Sequence, residues 1–130
     1  MLNLHHIGIL VNNMDDAIES YRLLFGELSV SEKIIIDSQA VNVCFVNTGN
    51  NIFLELIEAI DNNSLVSKML KKGITYYHLA YLTKDFETDL KRLIGLYYKP
   101  YEVFYSEAFK QKRCQFLFSP VGHLIEIIEE

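Results

Sequence analysis

Leu124-Ile125-Glu126-Ile127-Ile128-Glu129, near the end of the chain, repeats the pattern of Phe53-Leu54-Glu55-Leu56-Ile57-Glu58: two apolar residues, Glu, two apolar residues, Glu. Each copy is a strand-like apolar run with a carboxylate in its middle. Burying a carboxylate costs several kcal/mol unless a charge or hydrogen bonds offset it, so the two glutamates require one explanation. Histidine supplies a second repeat: His6 opens Ile7-Gly8-Ile9-Leu10-Val11, and His78 opens Leu79-Ala80-Tyr81-Leu82-Thr83. Glu55 stands as far beyond His6 as Glu126 stands beyond His78, to within one residue. The chain reads as a tandem duplication in which each half starts on a His-headed strand and ends on a Glu-bearing one.

The repeat extends outward from these four residues. Met14, Ile18, Tyr21 and Phe25 follow helical spacing after the first His strand, and Phe86, Leu90, Leu93 and Ile94 do so after the second. Both sets stop at glycine, Gly26 and Gly95. Asp15 and Asp16 suit the positive end of the first helix dipole, and Asp85 is placed to cap the second helix. Two or three strand-like runs then lead to each Glu strand, so each module is predicted to be β-α-β-β-β. The expected organisation is one α+β domain over residues 1–130: a first module at 1–60, a connector at 61–73 and a second module at 74–130. Within the connector, Asp61-Asn62-Asn63-Ser64 precedes a short helix from Leu65 to Lys72 that Gly73 ends. Asn47-Thr48-Gly49-Asn50-Asn51 and Ser119-Pro120-Val121-Gly122 carry the hairpin turns. The tyrosine-rich run from Leu96 to Tyr105, broken by Pro100, is predicted to be an edge or bent strand.

At 130 residues, one well-buried core is affordable and two large domains are not. A net charge of −5 argues against nucleic acid or an anionic membrane as partner, since both call for a basic face. No segment has the roughly 18 consecutive apolar residues of a membrane-spanning helix, and the first residues lack the pattern of a secretory signal. Cys44 and Cys114 fall in apolar runs at similar places in the two modules and are expected to be reduced core residues, as in a cytoplasmic protein.

Strand alternation places Leu4, His6 and Gly8 on one face and His5, Ile7 and Ile9 on the other, so only one of the adjacent histidines can serve a site; the repeat selects His6. If two similar modules pack about a pseudo-twofold axis, His6, Glu55, His78 and Glu126 converge. Two imidazoles and two carboxylates suit one divalent transition metal, with Ni, Co or Zn foremost and Mn or Fe also accommodated. Such an ion can polarise a carbonyl and stabilise the enediolate left when an adjacent proton is removed, and a ligand carboxylate can serve as the base. Taken singly, a strand-leading His is more often a satisfied polar residue than a ligand, and a lone strand Glu more often faces water. The joint placement of four such residues on one repeat favours the site. By the same weighing, His5 and His123 are expected to be structural or exposed, Glu58 and Glu129 to face water, the tyrosines to fill core and edge, and Arg22, Arg92, Lys110, Lys112 and Arg113 to be mostly solvated charge, though some could hold an anionic tail.

The run His6-Ile7-Gly8-Ile9-Leu10-Val11-Asn12-Asn13-Met14-Asp15-Asp16-Ala17 resembles the opening of the vicinal oxygen chelate superfamily, which includes glyoxalase I and methylmalonyl-CoA epimerase. The resemblance continues through Lys71-Lys72-Gly73, Tyr77-His78 and the closing Ser119-Pro120-Val121-Gly122-His123-Leu124-Ile125-Glu126. It implies paired βαβββ modules forming an open, cupped sheet around a metal, the glyoxalase/bleomycin resistance fold, with His6, Glu55, His78 and Glu126 on the four ligand positions. Glutamate at the second ligand is similar to nickel-type glyoxalase I, where the epimerases have glutamine, whereas Ser64 to Gly73 is more similar to the epimerases. Aligning Gln39-Ala40-Val41 on the epimerase Gln-Gly-Val stretch puts Ser38 where those enzymes carry a catalytic glutamate, with Asp37 one residue away on the opposite face of a regular strand.

The expectation drawn from this resemblance is a glyoxalase I-type (lactoylglutathione lyase-like) enzyme working by proton transfer through a metal-bound enediolate. Glu126 is the leading base and Glu55 its partner. A methylmalonyl-CoA or related acyl-CoA epimerase is the alternative, and a metal-free, bleomycin-resistance-like binding protein a further one; a ring-cleaving dioxygenase fits less well because Glu55 supplies a fourth ligand. The expected partner is a small carbonyl or thioester substrate, and a homodimer is expected by the same resemblance.

Overall fold

A computed structural model describes residues 1–130. Its backbone falls into two compact units, His6–Tyr77 and Met1–His5 with His78–Glu130. Each unit is built around one βαβββ module.

In the first module β1 (Asn3–Leu10) leads into α1 (Met14–Phe25). The Asn13 side chain accepts a hydrogen bond from the Asp16 backbone N–H, and Asp15 and Asp16 occupy the first turn. Gly26 ends the helix at φ 108°, a conformation that other residues rarely adopt. Met14, Ile18 and Tyr21 pack on Cys44, Val46 and Leu56. Phe25, predicted to extend that stripe, is 40% exposed, because the helix has already passed the edge of its core. Then follow β2 (Ile34–Ile36), β3 (Val41–Asn47) and β4 (Phe53–Ala59), in the spatial order β2-β3-β4-β1. β4 runs parallel to β1, and the other two pairings are antiparallel. The connector helix α2 (Leu65–Lys71) is capped by Ser64, which accepts from the Ser67 N–H.

The second module repeats the plan with β5 (Tyr76–Thr83), α3 (Phe86–Gly95), β6 (Lys99–Ser106), β7 (Lys112–Phe118) and β8 (Leu124–Glu129), ordered β5-β8-β7-β6. Asp85 caps α3 by accepting from the Thr88 N–H. Phe86 and Leu93 bury against Leu117, Ile125 and Ile127, and Leu2 packs on the same cluster. Ile94 lies off that face and is exposed. At the edge, β6 shifts register between Pro100 and Val103, as the proline-interrupted run predicts. The chain's first residues belong to this unit: the Met1 ammonium lies 3.7 Å from Asp89, and His5 packs edge-on against Phe109. No helix is long and apolar enough to cross a membrane.

Candidate metal centre

The parallel register of β1 and β4 pairs His6 with Phe53, Gly8 with Glu55 and Leu10 with Ile57, so these side chains share one sheet face. On the other side of β4, β3 sets Phe45 against Glu55. The carboxylate therefore lies between a residue without a side chain and an aromatic ring. His6 Nε2 stands 3.6 Å from Glu55 Oε1, and the Phe45 ring meets the imidazole edge-on, 5.4 Å between centroids at 73°.

The second unit repeats this arrangement. Ala80 and Phe116 flank Glu126 from β5 and β7, His78 Nε2 stands 3.5 Å from Glu126 Oε1, and the Phe116 ring meets His78 at 5.2 Å and 76°. All four polar residues are buried, with His6 fully so. The structure thus brings His6 to Glu55 in one unit and His78 to Glu126 in the other.

Burial sets the electrostatics of both pairs. It lowers the His6 pKa, and the nearby Glu55 charge opposes the shift without overcoming it, so the imidazole is held as the neutral donor that a metal requires. Burial also pushes the Glu126 carboxyl up to about 8. A carboxylate kept there in ionised form calls for a cation. Nitrogen-to-oxygen separations of 3.6 and 3.5 Å are long for hydrogen bonds. They lie a few tenths of an ångström above the about 3.0–3.4 Å that separates two ligand atoms each about 2.1 Å from a shared ion, so a small side-chain adjustment brings each pair to that spacing. In donor type, burial and spacing, the residues fit a divalent metal.

Gly8, Ala80, Phe45 and Phe116 are the members of this arrangement that reading the sequence did not single out. A signal was available: Phe116 follows Phe45 by the same interval that separates Glu126 from Glu55. The cysteines turn out not to be equivalent. Cys44 pairs with Leu56 and packs beneath α1, whereas Cys114 pairs with Ile128, on the face that carries His78 and Glu126. Burial raises the Cys44 thiol to about 11, which suits an inert core residue.

Other candidates have structural employment. Glu58, expected to face water, accepts hydrogen bonds from the Met14 N–H and the Asn42 side chain and so anchors the start of α1. Glu129 pairs with Arg113, whose guanidinium also reaches Glu87 and lies 4.0 Å over the Phe86 ring. Arg92 is held by Asp89, and Arg22 lies 3.9 Å from Glu27. Arg92 and Arg113 are therefore committed to carboxylates, whereas the Arg22 pair is long and exposed. Asp37 and Ser38 do not lie on a strand at all: Asp37–Gln39 is a single 3-10 turn closed by Ala40 at φ 52°, and both residues are exposed. The face argument that separated them does not apply.

The sequence matches the family model of the Glyoxalase/Bleomycin resistance protein/Dioxygenase superfamily over residues 5–116. Among solved structures, methylmalonyl-CoA epimerase from Mycobacterium tuberculosis is 26% identical, with a TM-score of 0.84, over 97% of this chain and 86% of that one. A variant of the Streptomyces coelicolor methylmalonyl-CoA epimerase, in complex with 2-nitronate-propionyl-CoA, is 24% identical with a TM-score of 0.84, over 100% of this chain and 99% of that one. A hypothetical protein from Bacillus halodurans is 23% identical with a TM-score of 0.77, over 99% and 94%. These last two likenesses bear on the fold alone. No curated protein sequence matches the chain. With the βαβββ repeat, the family match over most of the length and the shared fold in hand, the chain belongs to the Glyoxalase/Bleomycin resistance protein/Dioxygenase superfamily.

Proposed function

We propose that this protein is an acyl-CoA epimerase, moving a proton at the carbon next to a thioester carbonyl, and that His6, Glu55, His78 and Glu126 hold one divalent metal for that purpose. The observation that carries the reading is the likeness to a methylmalonyl-CoA epimerase over 97% of the chain. It favours the epimerase over the glyoxalase I reading, which rests on glutamate rather than glutamine at position 55.

The metal, when bound, draws electron density from the carbonyl and so acidifies the neighbouring C–H. Inverting that carbon takes a proton acceptor on one side and a donor on the other. Ser38 has no basicity for either task, and Asp37 is exposed on its turn. The repeat offers one buried carboxylate per module instead: Glu126 takes the proton and Glu55 returns it, with the roles reversed in the opposite direction. Phe45 and Phe116 limit rotation of the imidazoles, and the apolar side chains around each pair exclude water that would compete for the proton.

Deuterium uptake from D2O at the α-carbon of acyl-CoA thioesters, followed by mass spectrometry on metal-loaded protein, tests the assignment. Uptake that Glu126→Gln lowers by about a hundredfold or more is the expected result. Conversion of the methylglyoxal–glutathione hemithioacetal without thioester exchange would return the assignment to glyoxalase I.

A further inference from the structure

Acidic residues outnumber cations along this chain, yet residues 62–84 hold four lysines and no aspartate or glutamate, the longest acid-free stretch in the sequence. Three of the four, Lys68, Lys71 and Lys72, gather in the last turn and at the C-cap of α2, and all three are exposed. Lys71 donates to the Asn62 carbonyl at 3.4 Å, and none of the three has a carboxylate partner, whereas Lys33 lies 3.1 Å from Asp15. Asp61, the acid nearest in sequence, accepts the Asn63 N–H ahead of the helix. The end of a helix attracts a cation, but Lys68 and Lys72 stand four residues apart, where like charges repel. The cluster therefore holds more positive charge than this seven-residue helix calls for, and a bound anion would relieve it.

What lies beside the lysines narrows the choice of anion. Gly73, at φ 77°, turns the chain after the helix, and the Ile74 N–H bonds back to the Met69 carbonyl. Ile74 and Tyr76 are both exposed, which sets an apolar side chain and an aromatic ring a few residues from three cations. Lysine binds phosphate as a point charge, and a nucleotide base has a π face on which an aromatic ring can stack. The position suits a coenzyme that carries both. The Thr75 carbonyl accepts the Leu10 N–H at 2.7 Å, so the segment runs beside the end of β1. Leu10 is four residues beyond His6 on that strand, about 13 Å away. A pantetheine arm is comparable with about four extended residues, or about 14 Å, so a thioester at His6 and Glu55 has its phosphates within reach of the lysines.

We infer that Lys68, Lys71 and Lys72 bind the phosphates of an acyl-CoA, with Tyr76 against its adenine, while the thioester lies at the His6–Glu55 pair. The inference rests on the acyl-CoA reading above and adds to it the residues that recognise the coenzyme. All of them lie within the one unit His6–Tyr77.

The test is calorimetric titration of the metal-loaded protein with propionyl-CoA and with S-propionyl-pantetheine, the same thioester without phosphates or adenine. The wild type is expected to bind propionyl-CoA about tenfold or more tightly, and raising the salt from about 0.05 to about 0.5 M is expected to shrink that preference. Lys68→Glu, Lys71→Glu and Lys72→Glu together are expected to abolish the preference and to leave the affinity for S-propionyl-pantetheine unchanged. Glutamine at the same three positions makes the test should the glutamate variant fail to fold. Equal binding of the two probes by the wild type, or a preference that survives the substitutions, would overturn the inference and leave the acyl-CoA reading standing. Binding of neither probe by the wild type would overturn both.

Discussion

Glu126 carries the largest burden of any single residue. Its folded-state pKa of about 8 lies above the ordinary value of 4.5 because burial disfavours the charged form. A raised carboxyl contributes stability that is full at low pH and is lost as pH climbs through the folded value. His6 works the other way: its lowered pKa costs stability as pH falls below 6.5. Of these two effects only that of Glu126 acts above 6.5, so this residue is expected to lower the stability of the metal-free protein from pH 6.5 up to about 8. The total across the full Glu126 shift is on the order of 5 kcal/mol as an upper figure. Melting curves across that range should slope downward for the wild type and flatten for Glu126→Gln; an unchanged slope in the variant would place the ionisation elsewhere. Ala80 tests the crowding of the same carboxylate. Fully buried and opposite Glu126, it has no room for branching, and Ala80→Val is expected to cost about 1–3 kcal/mol in denaturant melts and to weaken metal binding with it.

Among the elements, the helices were the most legible. Apolar spacing, terminal glycines and acidic first turns located α1 and α3, and the Asp85 cap was readable because an Asp before a helical stripe has few other uses. Asp85→Ala should therefore cost about 1 kcal/mol, with Asp85→Asn nearly neutral, by thermal melting. Less legible were helix ends such as Phe25 and Ile94, where apolar periodicity outlasts the core it serves. The turn at Asp37–Gln39 carried no signal, because left-handed backbone is ordinarily marked by Gly or Asn and here falls on Ala40. Lys110 closes the matching turn of the second module at φ 54°, equally unmarked. The role of Glu58 is hidden for a related reason: a hydrogen bond accepted from the Met14 N–H, far away in sequence, leaves no mark in a strand pattern.

For the molecule as a whole, duplication was the decisive signal. Neither His6 nor Glu55 is informative by itself, but the same residues at the same interval in both modules exposed the candidate site. Within each unit the His and the Glu lie side by side, with nearly identical His-to-Glu separations and Phe-to-His geometries. The aromatic members carry little sequence signal because buried phenylalanine is the ordinary filling of a sheet face, and Cys44 and Cys114, similarly placed in the two modules, differ by one residue in register, which reverses the face. The central claim is that the two His–Glu pairs serve one ion. Elemental analysis of the purified wild type, His6→Ala and His78→Ala, after loading with Ni, Co or Zn and removal of excess, tests it directly. About one ion per chain is expected in the wild type and its loss in both variants; two ions per chain, one ion surviving either substitution, or none in the wild type would contradict a shared ion.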